Sequence, residues 1–379
     1  MSSIRLALIR QKYRPDGGAE RFLSRAMEAL KEDIELTIIT RNWQKQDGVD
    51  VINCNPPKWG RVSREKGFAK AVCEQVENRN FDLVQSHERI ACCDIYRAGD
   101  GIHKEWLNQR SRIISPAARV MTNISPFHRY MLRAEERLFN SDRLKTIICN
   151  SKMIAEEIAL HFPAASSKTE VIYSSIDFKT YNPNLKRYRK EVRENLGISK
   201  DESVFLFVGS GFERKGASSA IKAISGVKKA KLLVIGKDKN LTKYKKLSCD
   251  LSSSSKVIFM GMQENPLPFY GAADAFIFPT LYDPFPNVTI EALACGLPVI
   301  TSTKCGAAEI IANGKDGFVC DALDAKSMTK FIEELKDKNT QKQMSGAAYE
   351  KAQMFSTERM TKQLMDVYGK LLRQKTTGN

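Results

Sequence analysis

The stretch from Phe278 to Ile300, FPTLYDPFPNVTIEALACGLPVI, constrains the fold more than any other part of the chain. Residues 275–278 are apolar and aromatic, which is typical of a buried strand, and a proline-broken polar loop follows at 280–287. Residues 288–295 have helical apolar spacing, and 299–301 are again typical of a buried strand. The order strand, loop, helix, strand indicates a parallel α/β sheet.

Two carboxylates lie around the start of this helix. Asp283 is in the loop and Glu291 is in the helix, for which Asn287 is the predicted N-cap. Loops beyond the carboxyl ends of parallel strands are where such sheets bind ligands. A carboxylate repels phosphate but accepts hydrogen bonds from hydroxyl groups. Asp283 and Glu291 are therefore predicted to contact a sugar.

The same alternation recurs along the 379 residues, a length that favours two domains. We predict an α/β, doubly wound domain at 1–176 and a second at 177–354, with a hinge at 177–185. From Ser327 to Leu372 the pattern is helical, amphipathic and charged. The predicted strands are 4–9, 36–40, 49–53, 83–86, 147–150 and 171–173, then 204–208, 231–235, 257–260, 275–278, 299–301 and 317–320.

The cysteine pattern and the absence of long apolar runs bound the location. Nine cysteines include no Cys-x-x-Cys pair, and the four histidines are too few to favour zinc. The adjacent Cys92 and Cys93 suit neither a metal site nor an ordinary disulfide. The first residues resemble a strand rather than a signal peptide, and no run reaches membrane-spanning length. We expect a cytoplasmic protein with reduced thiols.

A glycine-rich turn follows the predicted strand 204–208. Its sequence, GSGFERKG, fits neither a dinucleotide fingerprint nor a Walker A loop, because Arg214 replaces the last glycine of the first and Ala217 follows Gly216. The turn at Gly211 instead brings Arg214 and Lys215 to a helix start, which suits a diphosphate. The alternative is a plain turn with solvated charges. Gly17 and Gly18, in the first turn of the chain, present the same two alternatives.

Two loops of the first domain carry titratable residues between small ones. His87 lies in Ser86–Arg89, and Asp100 and His103 lie in Ala98–His103. They are candidates for acid–base chemistry, and the alternative is that they serve as cap or turn residues.

A basic segment from Leu107 to Ala134 contains no acidic residue and several aromatic ones. The chain as a whole has 60 Lys and Arg against 44 Asp and Glu, a net charge of +16. This composition suits an anionic membrane surface, a phosphorylated substrate or single-stranded nucleic acid, with a solvated helix pair as the alternative. The arginines of the segment are Arg110, Arg112, Arg119, Arg129 and Arg133.

In combination these motifs resemble those of glycosyltransferase family 4, and they occur in the same order along essentially the whole chain. The resemblance is carried by Gly17-Gly18-Ala19-Glu20, by Gly209 to Gly216, and by Asp283 and Glu291 followed by ALACGLPV. The stretch Gly99 to His103 is similar to a Gly-Asp-Gly-x-His stretch in the branch of the family that glycosylates the lipopolysaccharide core. The resemblance implies a GT-B fold: two Rossmann-like domains facing across a cleft, with a C-terminal helix (355–379) packing back on the first.

The resemblance also implies a retaining transferase that uses a nucleotide-sugar donor and no metal or other cofactor. Glu291 would bind the ribose, and Asp283 would take the position of the family's first glutamate, which contacts the donor sugar. Asp283 is one methylene shorter, so the identity of that sugar stays open. Further donor contacts are expected at Gly17, Gly18, Gly211, Arg214, Lys215, Asn287 and Val288, and the acceptor hydroxyl at Asp100, then His103, then His87.

The function expected from these residues is transfer of a sugar to a hydroxyl of a lipopolysaccharide core or related glycoconjugate. The donor would be a UDP-hexose or a nucleotide-heptose. The protein would bind the cytoplasmic face of the inner membrane peripherally through its Arg110–Arg133 segment, with no nucleic-acid partner. The alternative is a nucleotide-sugar epimerase of the GT-B fold, which would convert its sugar without an acceptor.

Overall fold

The computed structural model describes residues 4–12, 34–42 and 50–377. Gly17, Gly18 and the helix predicted after them lie outside these ranges. The chain divides into two compact units, one of residues 1–174 with 357–379 and the other of residues 175–356. The sequence placed this division at residues 176 and 177.

The first unit contains a parallel, seven-stranded sheet in the order β3-β2-β1-β4-β5-β6-β7. Its strands are β1 (Ile4–Ile9), β2 (Ile34–Thr40), β3 (Asp50–Asn53), β4 (Leu83–Ser86), β5 (Ile95–Arg97), β6 (Thr146–Cys149) and β7 (Thr169–Val171). Its helices are α1 (Gly60–Glu77), α2 (His103–Ser111), α3 (Pro116–Ile124), α4 (Pro126–Phe139) and α5 (Lys152–His161), with a 3-10 turn at Pro163–Lys168.

The strand order of this sheet reverses beside the central strand β1. Leu6 pairs in parallel with Leu36 of β2 on one side and Leu83 of β4 on the other. The chain therefore builds the sheet outward in both directions from β1. The strand order reverses between β1 and β4, and doubly wound sheets place ligands beyond the carboxyl ends of the strands at such a switch point.

The last helix of the chain, Thr357–Thr377, completes the first unit. Leu364 is fully buried against Leu83, Ile95 and Ile148 of the sheet. The Tyr368 hydroxyl donates a 2.8 Å hydrogen bond to the Gln85 side chain. A helix that ends the sequence is thus part of the core formed by residues that begin it.

The second unit contains a parallel, six-stranded sheet in the order β10-β9-β8-β11-β12-β13. The strands are β8 (Ser203–Val208), β9 (Ala230–Ile235), β10 (Val257–Gly261), β11 (Ala275–Phe278), β12 (Val299–Ser302) and β13 (Gly317–Cys320). Helices α6 to α13 are Arg189–Asn195, Phe212–Lys215, Ala217–Ser225, Leu241–Asp250, Leu267–Ala272, Asn287–Ala294, Ala325–Glu334 and Lys338–Ala352, and the final Thr357–Thr377 helix is α14. The 3-10 turns are Pro183–Tyr188, Gly306–Ile310 and Gln353–Phe355.

The predicted α/β, doubly wound class is confirmed in both units. Every predicted strand is present, most within two residues at each end. The sequence missed β5, which is only three residues long and too short to show a period. It also placed β7 two residues late, because the apolar residues there follow the strand.

The thiol prediction is wrong at one pair. Cys73 of α1 and Cys92, in the loop after β4, form a disulfide. Spacing along the sequence did not reveal it, because the fold brings α1 against that loop. The remaining cysteines, free in the described residues, are Cys54, Cys93, Cys149, Cys249, Cys295, Cys305 and Cys320.

No helix within the described ranges is both long enough and apolar enough to cross a bilayer.

Candidate functional site

Two loops of the second unit meet at the carboxyl ends of β8 and β11. Gly211, at φ 77°, precedes the short helix α7, whose first amide, that of Phe212, donates to Asp238 at 2.7 Å. Gly216, at φ 79°, ends it. A Cβ on Gly216 would lie 1.8 Å from the Pro279 carbonyl oxygen, so only glycine allows the two loops to approach this closely.

This approach brings the predicted cations onto the predicted carboxylate. The Arg214 guanidinium donates to Asp283 Oδ2 at 3.1 Å, and the Lys215 ammonium binds the same oxygen. Arg214 also donates to the Tyr282 carbonyl at 3.2 Å. Lys215 and Asp283 are mostly buried, whereas the Arg214 side chain is 40% exposed. The sequence motif thus becomes a three-residue cluster with one net positive charge.

Burial and charge oppose each other in this cluster. Burial raises the pKa of Asp283, but Lys215 and Arg214 outweigh that effect and hold it below its ordinary value. Burial and the neighbouring Arg214 lower the pKa of Lys215, although Asp283 raises it. The cluster therefore favours an ionised aspartate and presents Arg214 as its more exposed positive group.

Glu291 lies deeper, on helix α11. It is 2% exposed, and the Tyr270 hydroxyl donates to its Oε2 at 2.9 Å. Burial and the charge of Glu291 raise the pKa of Tyr270 above its ordinary value, which keeps this donor protonated. The sequence did not predict Tyr270, since it lies in a different helix with no motif around it. Its hydrogen bond orients the Glu291 carboxylate.

The start of α11 differs from the prediction by one residue. Asn287 is the first helical residue and Pro286 occupies the cap position, so Asn287 is not the N-cap. The proline directly before the helix has no side-chain acceptor, and the structure shows no side-chain cap there. Asn287 is buried and Val288 is half-buried, both beside the loop that carries Asp283.

In the first unit, Asp100 is at the carboxyl end of β5. Its side chain is 54% exposed, and Arg10 Nη1 lies 3.9 Å from its Oδ2. Asp100 is thus accessible to solvent, and its role in positioning the acceptor stays a prediction.

The two histidine candidates occupy buried places. His87 lies 3.1 Å from the Gln85 side chain, and burial holds its pKa well below the ordinary value. The His103 ring stacks on His128, with Nε2 3.0 Å from Nδ1, and burial lowers its pKa to about 3. Both rings are therefore neutral at physiological pH. Their catalytic roles stay predictions.

Glu88 is a titratable residue at this edge that the sequence reasoning did not select. Its Oε1 accepts from the Gln11 amide at 2.9 Å and from Arg10 Nη1 at 3.4 Å. Burial raises its pKa to about 7 against the opposing effects of Arg10 and the Gln11 amide. It lies between His87 and Arg89 in the loop Ser86–Arg89, from which the sequence analysis selected His87 alone.

Within the described parts of the chain, no group of three or more His, Cys, Asp or Glu side chains is arranged to hold a metal ion.

Two family models match the chain in sequence order. One, described as Glycosyltransferase Family 4, matches residues 16–180, and one described as Glycosyl transferases group 1 matches residues 188–351. Among curated relatives, spore coat protein SA of Bacillus subtilis is 26% identical over 349 residues, 86% of each chain. Lipopolysaccharide glucosyltransferase WaaG of Escherichia coli is 24% identical over 318 residues, 81% of this chain and 83% of that protein.

Solved structures show the same fold. The crystal structure of WaaG, a glycosyltransferase involved in lipopolysaccharide biosynthesis, superimposes with a TM-score of 0.81 at 20% identity, over 96% of this chain and 99% of that one. Anabaena Alr3699/HepE in complex with UDP-glucose has a TM-score of 0.70 at 18% identity, over 97% and 100% of the two chains. The chain is therefore a glycosyltransferase of family 4 with the GT-B fold.

Proposed function

We propose that the chain is a retaining glycosyltransferase that takes a hexose from UDP-hexose, or a heptose from its nucleotide donor, and needs no metal. The cluster of Arg214, Lys215 and Asp283 carries this proposal. A diphosphate needs positive charge beside it, and two cations at the carboxyl edge of the sheet supply it. The UDP-glucose bound in a structural neighbour supports the same class of donor.

The cluster assigns separate tasks to its members. As the anomeric bond breaks, charge grows on the leaving β-phosphate, where Arg214 and Lys215 stabilise it in the transition state. Both cations contact Asp283 through Oδ2, and within the described residues no hydrogen bond reaches Oδ1. We assign Oδ1 to a hydroxyl of the donor sugar. Glu291, oriented by Tyr270, would accept from the ribose hydroxyls.

The acceptor would be activated without a protein nucleophile. In a front-face reaction the acceptor hydroxyl attacks from the side of the leaving group, and this direction of attack retains the anomeric configuration. The departing phosphate takes the proton of the hydroxyl. Asp100, the exposed carboxylate of the first unit, would position that hydroxyl, with His103 and His87 as further candidates. We propose a lipopolysaccharide core or related glycoconjugate as acceptor, in keeping with the relative WaaG.

Such an acceptor lies at a membrane, and the basic segment offers a means of reaching it. No residue of α3 is buried, and Val120 and Met121 on it are 59% and 64% exposed. Exposed arginines flank these apolar side chains, Arg119 within α3 and Arg129 after it. Apolar groups beside cations suit an anionic bilayer surface. We therefore propose peripheral binding at the cytoplasmic face of the inner membrane through 110–133.

The first experiment measures the shift in melting temperature caused by UDP, GDP or ADP, each with and without EDTA. A ligand that binds only the folded state raises its stability, so one nucleotide should stabilise selectively and EDTA should not matter. Loss of the shift on adding EDTA would refute metal independence. The absence of a shift with all three nucleotides would contradict the assignment of the cluster as a diphosphate site.

Variants at the cluster test the assignment of residues. Arg214→Ala with Lys215→Ala should abolish transfer and the nucleotide-dependent shift, because the proposal assigns both cations to the leaving phosphate. Lys330→Ala, an exposed cation on α12, is the matched control and should keep both. Undiminished turnover in the double variant would overturn the mechanism. Conversion of the donor sugar without any acceptor would instead favour the epimerase.

A further inference from the structure

The loop before α1 ends in a tryptophan that the core does not use. Trp59 is 88% exposed, the largest fraction among the exposed large hydrophobic residues of the described chain. An indole ring of this size in water is costly unless something covers it, since tryptophan is normally buried or placed at an interface.

The loop holding Trp59 is well anchored, so its exposure is not that of a loose end. The Trp59 amide donates to Ser63 Oγ at 2.6 Å, which fixes the turn into α1. Upstream, the buried Arg41 donates to Asn55 Oδ1 at 2.9 Å and to the Pro56 carbonyl at 3.1 Å. The backbone on both sides is thus tied to the first unit, and the side chain projects from a fixed position.

The first turn of α1, directly after this loop, contacts α4. The Arg61 guanidinium lies 3.7 Å from the centroid of the Phe127 ring. Arg61 is two residues after Trp59, and Phe127 is three residues after Ile124, which is 49% exposed at the end of α3. The start of α1, which follows Trp59 directly, therefore contacts the first turn of α4, which follows α3 directly along the chain.

The charged side chains within both segments have one sign. Residues 51–64 contain no acidic side chain, and neither do residues 106–134. The exposed cations of the two segments include Lys58, Arg61, Arg112, Arg119 and Arg129. An exposed tryptophan with aliphatic side chains and a basic rim matches the headgroup region of an anionic bilayer, where amphipathic rings and cations both find partners.

We propose that Trp59 is a second membrane anchor, which inserts into the headgroup region of an anionic bilayer next to α3. This inference rests on the membrane docking proposed above and extends it from one segment to two. Two separate points of attachment define how the first unit is oriented on the lipid, which one helix alone does not. The occupant is a lipid surface, since the rim cations require many anionic groups spread over it.

The chain supplies its own probe, because it contains only three tryptophans, Trp43, Trp59 and Trp106. Trp43→Phe with Trp106→Phe leaves Trp59 as the single emitter. With phosphatidylcholine vesicles containing about 30% phosphatidylglycerol, its emission should shift to the blue, and brominated lipid chains should quench it. With phosphatidylcholine alone, both effects should be much weaker.

Sedimentation with the same vesicles separates this inference from the docking it extends. Trp59→Ala should weaken partitioning about tenfold, as expected for losing an aromatic contact with the interface, and Trp59→Phe should recover part of it. Val120→Ser with Met121→Ser tests α3 independently. Vesicle binding with unquenched Trp59, or full binding by Trp59→Ala, would overturn the anchor and leave docking through α3 intact. Failure of the wild type to bind would overturn both.

Discussion

At the scale of single residues, Asp283 carries the electrostatic balance of the donor site. One of its oxygens holds two cations, of which Lys215 is mostly buried. Asp283→Asn would leave that ammonium buried without its counter-charge, and breaking a buried ion pair from one side is strongly destabilising. We expect a loss of about 3–5 kcal/mol in the free energy of unfolding at neutral pH, measured by urea denaturation.

The companion variant shows whether the loss comes from the orphaned charge. Lys215→Met with Asp283→Asn removes both members of the buried pair and should recover much of the stability, while transfer activity stays abolished. Equal stability of Asp283→Asn and the wild type would show that Lys215 finds another partner or water.

Glu88 gives a prediction about pH. Burial raises its folded-state pKa to about 7, above the ordinary 4.5; Asp100 and Glu65 raise it further, and Arg10 and the Gln11 amide oppose them. Because the folded value is the higher one, this group's stabilising contribution is complete below pH 4.5 and is lost as the pH rises through 7. Glu88→Gln should therefore gain stability relative to wild type between pH 5 and pH 8, by roughly 1–3 kcal/mol.

Urea denaturation across that pH range measures this difference. Glu74→Gln, an exposed glutamate on α1, is the control and should show a constant difference from the wild type. A constant difference for Glu88→Gln as well would contradict the raised pKa.

The residues found from sequence are those whose chemistry is local. Arg214 and Lys215 follow a glycine turn, and Asp283 and Glu291 lie in one strand–loop–helix stretch, so motif spacing identified them. Tyr270 and Glu88 gain their significance from burial and from partners distant in sequence, Glu291 and Arg10. Composition and motif spacing do not predict contacts between residues so far apart in the sequence.

At the scale of elements, strands were predictable and pairings between elements were not. Buried parallel strands are short apolar runs bounded by turns, which is why twelve of the thirteen strands in the described ranges could be predicted. The Cys73–Cys92 disulfide depends on α1 lying against the loop after β4, and Cys93 beside it is buried and free. Adjacent cysteines gave no indication of which one would pair.

The disulfide yields a prediction of its own. It closes a loop with a sequence separation of 19 residues, which by the chain-entropy account stabilises the fold by about 3 kcal/mol. Cys73→Ser should lower the free energy of unfolding, measured by urea denaturation, by that amount, and dithiothreitol should lower that of the wild type alike. Cys249→Ser removes an exposed free thiol and serves as the control. A wild type unaffected by the reductant would show that the pair is not oxidised in solution.

At the scale of the whole molecule, the two units divide the chain out of sequence order, because α14 belongs to the first. The resemblance implied this helix, whereas its amphipathic pattern alone did not say which sheet it covers. Its buried face meets β1, β4, β5 and β6 through Leu364 and its neighbours. The first unit therefore depends on residues made last, and the described members of that core all belong to the first unit.

This separation predicts that damage to α14 stays within one unit. Leu364 is fully buried, so Leu364→Ala should cost about 2–5 kcal/mol through lost burial and the cavity left behind. Units with separate cores can unfold separately, so hydrogen exchange should accelerate at amides of β1, β4 and β6 and remain unchanged in β8 and β11. Lys362→Ala, exposed on the same helix, should change neither set. Equal acceleration in both sheets would mean that the two units unfold as one, and α14 would then stabilise the whole chain.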